Sequence, residues 1–234
     1  MVNEREHQNQ CEFHTSLLML NNITQVGIVT SSHPKVFCAG ADLKAINRGD
    51  NISTRKGGFA GFVHYPRTKP IIAAVDGYCL AGGCEIALTC DFIVASKKSK
   101  FGVPEVKRSL IPAAGGLFRL PRKMPRAVAL EMILTGDPIS AERAERFGLV
   151  NVVVEGNVLK AAKDFAKRIL VNAPLAVQEA KICVDEMGKM DEKEAFHRSN
   201  VGMMNLMQTP DFREGPRAFI EKRAPRWTGK RAKM

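Results

Sequence analysis

Apolar residues along this chain come first as short saturated runs and later as helical stripes. Gln25–Ser31 (QVGIVTS) and Pro70–Val75 (PIIAAV) read as strands buried on both faces, closed by the turn formers His33-Pro34 and Asp76-Gly77. Phe92–Ala95, Lys100–Val103 and Leu149–Val154 predict further short strands. Leu43 opens a stretch that starts helically and loosens through Gly57-Gly58 toward Lys69, and Glu85–Cys90 fits a short helix entered through Gly82-Gly83. From Gly115 the period is helical. Ala127–Leu134 is amphipathic, Asp137-Pro138 breaks it, and Ser140 caps a helix ending at Gly148. Helices follow over 157–171, 174–187 and 191–207. Buried strands alternating with helices, then helices alone, predict an α/β fold with a helical C-terminal subdomain. The expected division is a poorly specified segment over 1–24, a core over 25–170 and the helical subdomain over 171–234, without internal sequence repeats.

Composition narrows the picture only a little. With 234 residues, 45% of them hydrophobic, the chain is long enough for a substantial core. No apolar run reaches the roughly 20 residues of a membrane-spanning helix. The N-terminal MVNEREHQNQ is neither a secretory signal nor a good mitochondrial presequence, so a cytoplasmic location is expected, with a mitochondrial one left open. The six cysteines show no C-x-x-C pair, which predicts buried free thiols and no metal. A net charge of +11 points to an anionic partner: nucleic acid, a membrane surface or a polyphosphate-bearing small molecule. The surplus is scattered, with local excess over Arg119–Arg126 and Lys222–Lys233, and no stacking-aromatic platform accompanies it. Nucleic acid is therefore the disfavoured partner.

Chemistry concentrates at two junctions between elements, Phe37-Cys38-Ala39-Gly40-Ala41-Asp42 and Gly77-Tyr78-Cys79-Leu80-Ala81-Gly82-Gly83-Cys84-Glu85. Small residues there let a ligand lie against bare backbone. Unsatisfied N–H groups at a helix start favour an oxygen that becomes negative during reaction. The plainer alternative is that these glycines only permit close packing. Glu85, in the apolar run GGCEIALTC, is costly to bury unless partnered or functional. Glu105, after the strand in FGVPE, is the second candidate acid. Facing one pocket, two such carboxylates would repel until one kept its proton, giving an acid and a base in a single site. The alternatives are an exposed helix position for Glu85 and a loop ion pair with Lys107 or Arg108 for Glu105.

FCAGADL, KPIIAAVDGYCLAGGCEIALTCD, FGVPEVKRSLIPAAGG and the ending AFIEKRAPRWTGK jointly resemble the enoyl-CoA hydratase/isomerase, or crotonase, family from about Val26 to the C-terminus. The resemblance implies a spiral of ββα turns with a helical trimerisation region, assembled as a homotrimer or hexamer. It implies an oxyanion hole on the backbone N–H groups of Ala41 and Gly82, with Glu85 and Glu105 as the catalytic pair. Members that only isomerise or decarboxylate often lack one of these glutamates, so keeping both favours a hydratase. Ala39, Asp42 and Leu43 of the first junction are expected at the acyl-CoA, with Phe219 and Lys222 near its nucleotide. CoA belongs to the substrate, and no separate cofactor is implied.

The family carries a longer segment ahead of the first glycine loop, with two strands, a helix and a CoA-contacting loop. Met1–Thr24 reads as too short and too unlike that segment to replace it. Three readings therefore stay open beside the hydratase: an isomerase or other thioester-enolate enzyme, a truncated inactive paralogue, and an RNA-binding protein.

Overall fold

In the computed structural model, which describes residues 25–188 and 190–231, the chain advances by repeating one move. A strand is laid in one sheet, the next strand in a second sheet, and a helix follows. β1 (Gly27–Thr30), β2 (Val36–Cys38) and α1 (Leu43–Arg48) make the first turn, and a small antiparallel ribbon, β3 (Ser53–Thr54) and β4 (Gly58–Phe59), follows it. β5 (Ile71–Val75), β6 (Tyr78–Leu80) and α2 (Gly82–Thr89) make the second. β7 (Phe92–Ser96) and β8 (Lys100–Gly102) begin the third, continued by a 3-10 turn (Pro104–Arg108), α3 (Gly116–Lys123) and α4 (Arg126–Thr135). Then come β9 (Ile139–Ser140), α5 (Ala141–Arg146), β10 (Val152–Val154), α6 (Val158–Leu170), α7 (Pro174–Met187), α8 (Glu192–Met207) and α9 (Pro210–Ile220).

The sheets run β1-β5-β7-β10 and β2-β6-β8-β9, so each turn contributes one strand to each. The β5–β7, β7–β10, β2–β6 and β6–β8 pairs are parallel, and β8–β9 is antiparallel. This is the ββα spiral that the resemblance implies. Every residue of β5 is buried, as an inner strand of a sheet covered on both faces must be. Burying Ile71, Ile72 and Val75 contributes roughly 1.5–3 kcal/mol each.

The switch between sheets is fixed at Asp76-Gly77. Gly77 has φ 83°, and a Cβ there would lie 2.0 Å from the Lys35 carbonyl oxygen. That approach lets Tyr78 N–H donate to the same carbonyl at 3.0 Å, seating β6 beside β2. The Ser99 hydroxyl donates to Val75 O and accepts from Gly77 N–H, holding the turn from behind.

By contacts the described residues fall into two units. One comprises Ile28–Pro66 and Ile71–Asp164; the other comprises 25–27, Arg67–Pro70 and 165–231. Within the second, α7 packs on α8 and α8 on α9. Asp191 and Glu194 form a reciprocal capping box at the start of α8. The buried Asp211 carboxylate accepts from Thr228 N–H, Thr228 Oγ1 and Gly229 N–H, which fastens the C-terminal stretch to α9.

Ser140 caps α5 by accepting from Arg143 N–H, and the other helices start within a few residues of their expected positions. Two expectations change. The junctions expected to be loops contain strands β2 and β6, three residues each, and the strand expected over Leu149–Val154 is confined to Val152–Val154. Such short strands owe their existence to parallel partners distant in sequence, which periodicity does not register. The expected features of residues 1–24 lie outside the described residues.

Gly83 lies under β2: a Cβ there would sit 2.1 Å from Cys38 O and 2.6 Å from Cys38 Cβ. Gly83→Ala is therefore expected to lower stability by about 2 kcal/mol or more in chemical denaturation. A loss below about 0.5 kcal/mol would contradict this packing.

Candidate active site

The two junctions meet. A side chain at Gly40, which has φ 96°, would lie 2.8 Å from Ala81 Cβ and 3.0 Å from Gly82 N. Only glycine lets the first loop lie on the start of α2. Ala81 adopts φ 51° and ψ −131°, a costly conformation for a residue with a Cβ, and its N–H donates to Gly102 O at 2.9 Å. Gly82, first in α2, has no carbonyl one turn back to which its N–H can donate. The Ala41 N–H likewise has no acceptor among the described residues. The Phe59 ring lies over Gly82, 2.4 Å from where a Cβ would be.

Around these amides opens a cleft of about 610 Å³. Ala39, Ala41, Leu43, Gly82, Glu85 and Glu105 all line it. Its broader walls are largely aliphatic: Leu43, Ile46, Ile52, Val63, Leu110 and Ile111. Asp42 is not in the lining; it caps α1, its carboxylate accepting from Lys44 N–H at 2.8 Å. Phe219 and Lys222 belong to the second unit. Phe219 is 85% exposed at the end of α9, and Lys222 follows with φ 52°.

Glu85 is buried, not an exposed helix residue. Its Oε1 accepts from Gly116 N–H at 2.9 Å, and the nearby Ala114 N–H also favours the ionised carboxylate. Burial raises its pKa from 4.5 to about 7, with the Glu105 charge adding to the rise. The two N–H donors and the Arg119 guanidinium oppose it. Glu105, in the 3-10 turn, is also raised by burial, against a bond from its own backbone N–H. Its Oε2 is buried with no hydrogen-bond partner among the described residues. Neither neighbouring cation pairs with it: Lys107 bonds Asp137, and Arg108 bonds the Lys107 carbonyl.

Three contributors escaped the sequence reading: Phe59, the Ala114–Gly116 loop that holds Glu85, and Arg119, which braces that loop. The pair Gly115-Gly116 ahead of a helix is the same signal that marks Gly82-Gly83, and it points to the loop. Nothing local marks Phe59 or Arg119. Cys38, Cys79, Cys84 and Cys90 are buried thiols outside any disulfide, as expected, and the Cys183 thiol is half-buried. Among the described residues no group of three or more His, Cys, Asp or Glu is placed to hold a metal, and no helix is long and apolar enough to cross a membrane.

A carboxyl with a raised native pKa stabilises the fold least where it must be ionised. Stability is therefore lost as pH rises through the unfolded value near 4.5 and the native value near 7. Glu85→Gln removes that loss and keeps an acceptor for Gly116. The variant should gain on the wild type between about pH 4.5 and pH 8, by up to about 3 kcal/mol at the upper end. Parallel denaturation curves across that range test this, and a pH-independent difference would contradict it.

Comparison with known proteins fits this geometry. The family model described as enoyl-CoA hydratase/isomerase matches residues 3–230, which carries the family likeness upstream of Val26 into the segment read as unlike it. An enoyl-CoA hydratase from Mycobacterium marinum is 46% identical, with a TM-score of 0.87, covering 91% of this chain and 84% of that one. A carnitinyl-CoA hydratase from Mycobacterium avium is 45% identical, with a TM-score of 0.66 over 88% and 82% of the two chains. A carnitinyl-CoA dehydratase from Salmonella typhi is 39% identical over 88% of this chain and 82% of its own length. With two bare amides and two carboxyls around one cleft, Glu85 buried and Glu105 half-buried, and a family match over nearly its whole length, the chain belongs to the enoyl-CoA hydratase/isomerase (crotonase) family and is a hydro-lyase acting on CoA thioesters.

Proposed function

We propose that this enzyme hydrates trans-2-enoyl-CoA thioesters to 3-hydroxyacyl-CoA, with Glu85 and Glu105 as its catalytic pair. The observation that carries this reading is the presence of two carboxyls in one cleft, both pushed up by burial, with the Glu105 charge raising Glu85 further. At neutral pH such a pair holds one proton between two carboxyls. A water hydrogen-bonded to both then has a base for one of its protons and an acid beside it. Glu85 takes the proton as the hydroxyl adds to Cβ, and Glu105 delivers a proton to Cα. The unpartnered Glu105 Oε2 supports a role in binding that water or the substrate.

As the new C–O bond forms, negative charge moves to the thioester oxygen. In this reading the Ala41 and Gly82 N–H groups stabilise it, helped by the positive end of α2. Losing one such donor typically costs on the order of 3 kcal/mol. Ala39 and Leu43 form the wall against the acyl-CoA, and Asp42 acts one step away, by holding α1. The reaction needs no cofactor beyond the CoA that the substrate carries.

The aliphatic walls favour a plain hydrocarbon acyl group. The relatives named for carnitinyl-CoA raise a second reading, a substrate with a quaternary ammonium; the lining carries Asp50, Glu85 and Glu105 beside Lys107 and Arg108, so the aliphatic walls rather than charge are what favour the hydrocarbon. Assembly into a homotrimer or hexamer is part of the proposal. Phe196, Met203 and Met207 form an exposed stripe on α8, and Val184, Phe219 and Ile220 are exposed on α7 and α9. Phe219 and Lys222 are then available to a neighbouring subunit's CoA nucleotide. The cytoplasmic location belongs to the same reading.

With crotonyl-CoA, the conjugated-enoyl absorbance should fall in the presence of the wild type. Glu85→Gln and Glu105→Gln should each lose at least about a hundredfold in kcat, within the range of a general acid or base. Carnitinyl-CoA should be dehydrated at least about tenfold less efficiently than crotonyl-CoA is hydrated, a modest difference in binding free energy. Full activity in either variant, or preference for carnitinyl-CoA, would overturn the corresponding assignment.

A further inference from the structure

Behind the cleft, outside its lining, the Arg119 side chain folds back from the first turn of α3. Its Nη1 donates to Ala114 O at 3.0 Å and its Nη2 to Val63 O at 2.9 Å. These carbonyls belong to different walls. Ala114 lies in the loop whose N–H groups hold the Glu85 carboxylate. Val63 lies in the turn that begins at Phe59, the ring over Gly82, and its own N–H donates to Phe59 O. The guanidinium thus links the segment holding the acid to the segment covering the amide.

The fit depends on two glycines. A Cβ at Gly115, which has φ 126°, would lie 2.0 Å from Arg119 Nη1. A Cβ at Gly116 would lie 2.7 Å from Pro112 Cβ and 3.3 Å from Glu85 Oε1. The glycine pair is therefore what allows the arginine to reach one side of the loop and the carboxylate the other. Lysine has no planar fork to span two carbonyls in this way.

We infer that Arg119 is a positioning residue for Glu85, the catalytic base: it locks the Ala114–Gly116 cradle to the Phe59–Val63 wall and sets a fixed positive charge behind that carboxylate. This rests on the hydratase reading for its catalytic meaning, though the geometry stands without it. The groups that bear on Glu85 are Glu105 from the 3-10 turn, Arg119 from α3, and the N–H groups of Ala114 and Gly116. Arg122 and Cys90 bear on Arg119 itself. On the far side of α2, the Cys79 thiol on β6 interacts with those of Cys84, Cys38 and Cys90. The guanidinium charge opposes the rise in the Glu85 pKa, so removing it raises that pKa further.

The test compares Arg119→Met, which removes charge and both bonds, with Arg119→Lys, which keeps the charge. In Arg119→Met the acidic limb of the kcat/KM profile should move up by about half to one pH unit, with kcat at neutral pH lower by at least about tenfold. In Arg119→Lys the limb should stay near its wild-type position while kcat falls several-fold and KM changes by less than about twofold. A stationary limb in Arg119→Met overturns the inference, because a purely structural loss lowers the rate without moving it. If Arg119→Met does not fold, wild-type kcat in Arg119→Lys overturns it equally. The Glu85 carboxyl titration, followed by 13C NMR without substrate, should show the same displacement. That readout decides the inference even if the wild type proves to have no hydratase activity, which would be a failure of the functional reading alone.

Discussion

A carboxylate held inside the protein is the constraint around which this molecule is organised. Placing Glu85 in the first turn of a helix buried from Gly82 to Leu88 costs on the order of several kcal/mol if it is charged. The fold offsets part of that cost with two backbone N–H donors and the charge of Arg119. It then places Glu105 in the same cleft, which adds to the cost. A fold under selection for stability alone has no use for that arrangement. The balance keeps the acid titratable near neutral pH, where a proton can be taken and returned.

The rest of the spiral supplies the close approaches this requires. Each turn places a strand in each sheet, so the ends of β2, β6 and β8 come together though they are far apart in sequence. Gly77, Gly40 and Gly83 occupy points where backbone meets backbone at distances no Cβ would tolerate. The resulting stack leaves the start of α2 bare toward the cleft. Around it are a wall of aliphatic side chains and, behind, the Arg119 brace. Stability and chemistry are therefore coupled through a few glycines.

Much of this was legible in the sequence because its signals are local. An acid inside GGCEIALTC is an energetic anomaly wherever it occurs, and Glu85 stands out for that reason. Gly82-Gly83 and Phe37–Asp42 mark backbone approaches, and β5 is visible in its apolar saturation. Strands β2 and β6 were not legible, because three residues carry no period and their partners are remote. Arg119 read as one cation in a basic stretch, and its meaning depends on carbonyls at Ala114 and Val63. Glu105 was identifiable as a candidate, but its freedom from Lys107 and Arg108 depends on where Asp137 lies.

The central claim is spatial: one thioester oxygen meets two bare amides while two acids face its double bond. A crystal structure of the chain with a non-hydratable acyl-CoA bound tests it most directly. The account predicts the thioester oxygen within hydrogen-bond distance of both Ala41 N–H and Gly82 N–H, with a water shared by Glu85 and Glu105 beside Cβ. A thioester seated elsewhere, or carboxylates turned away from its Cα–Cβ bond, would contradict it.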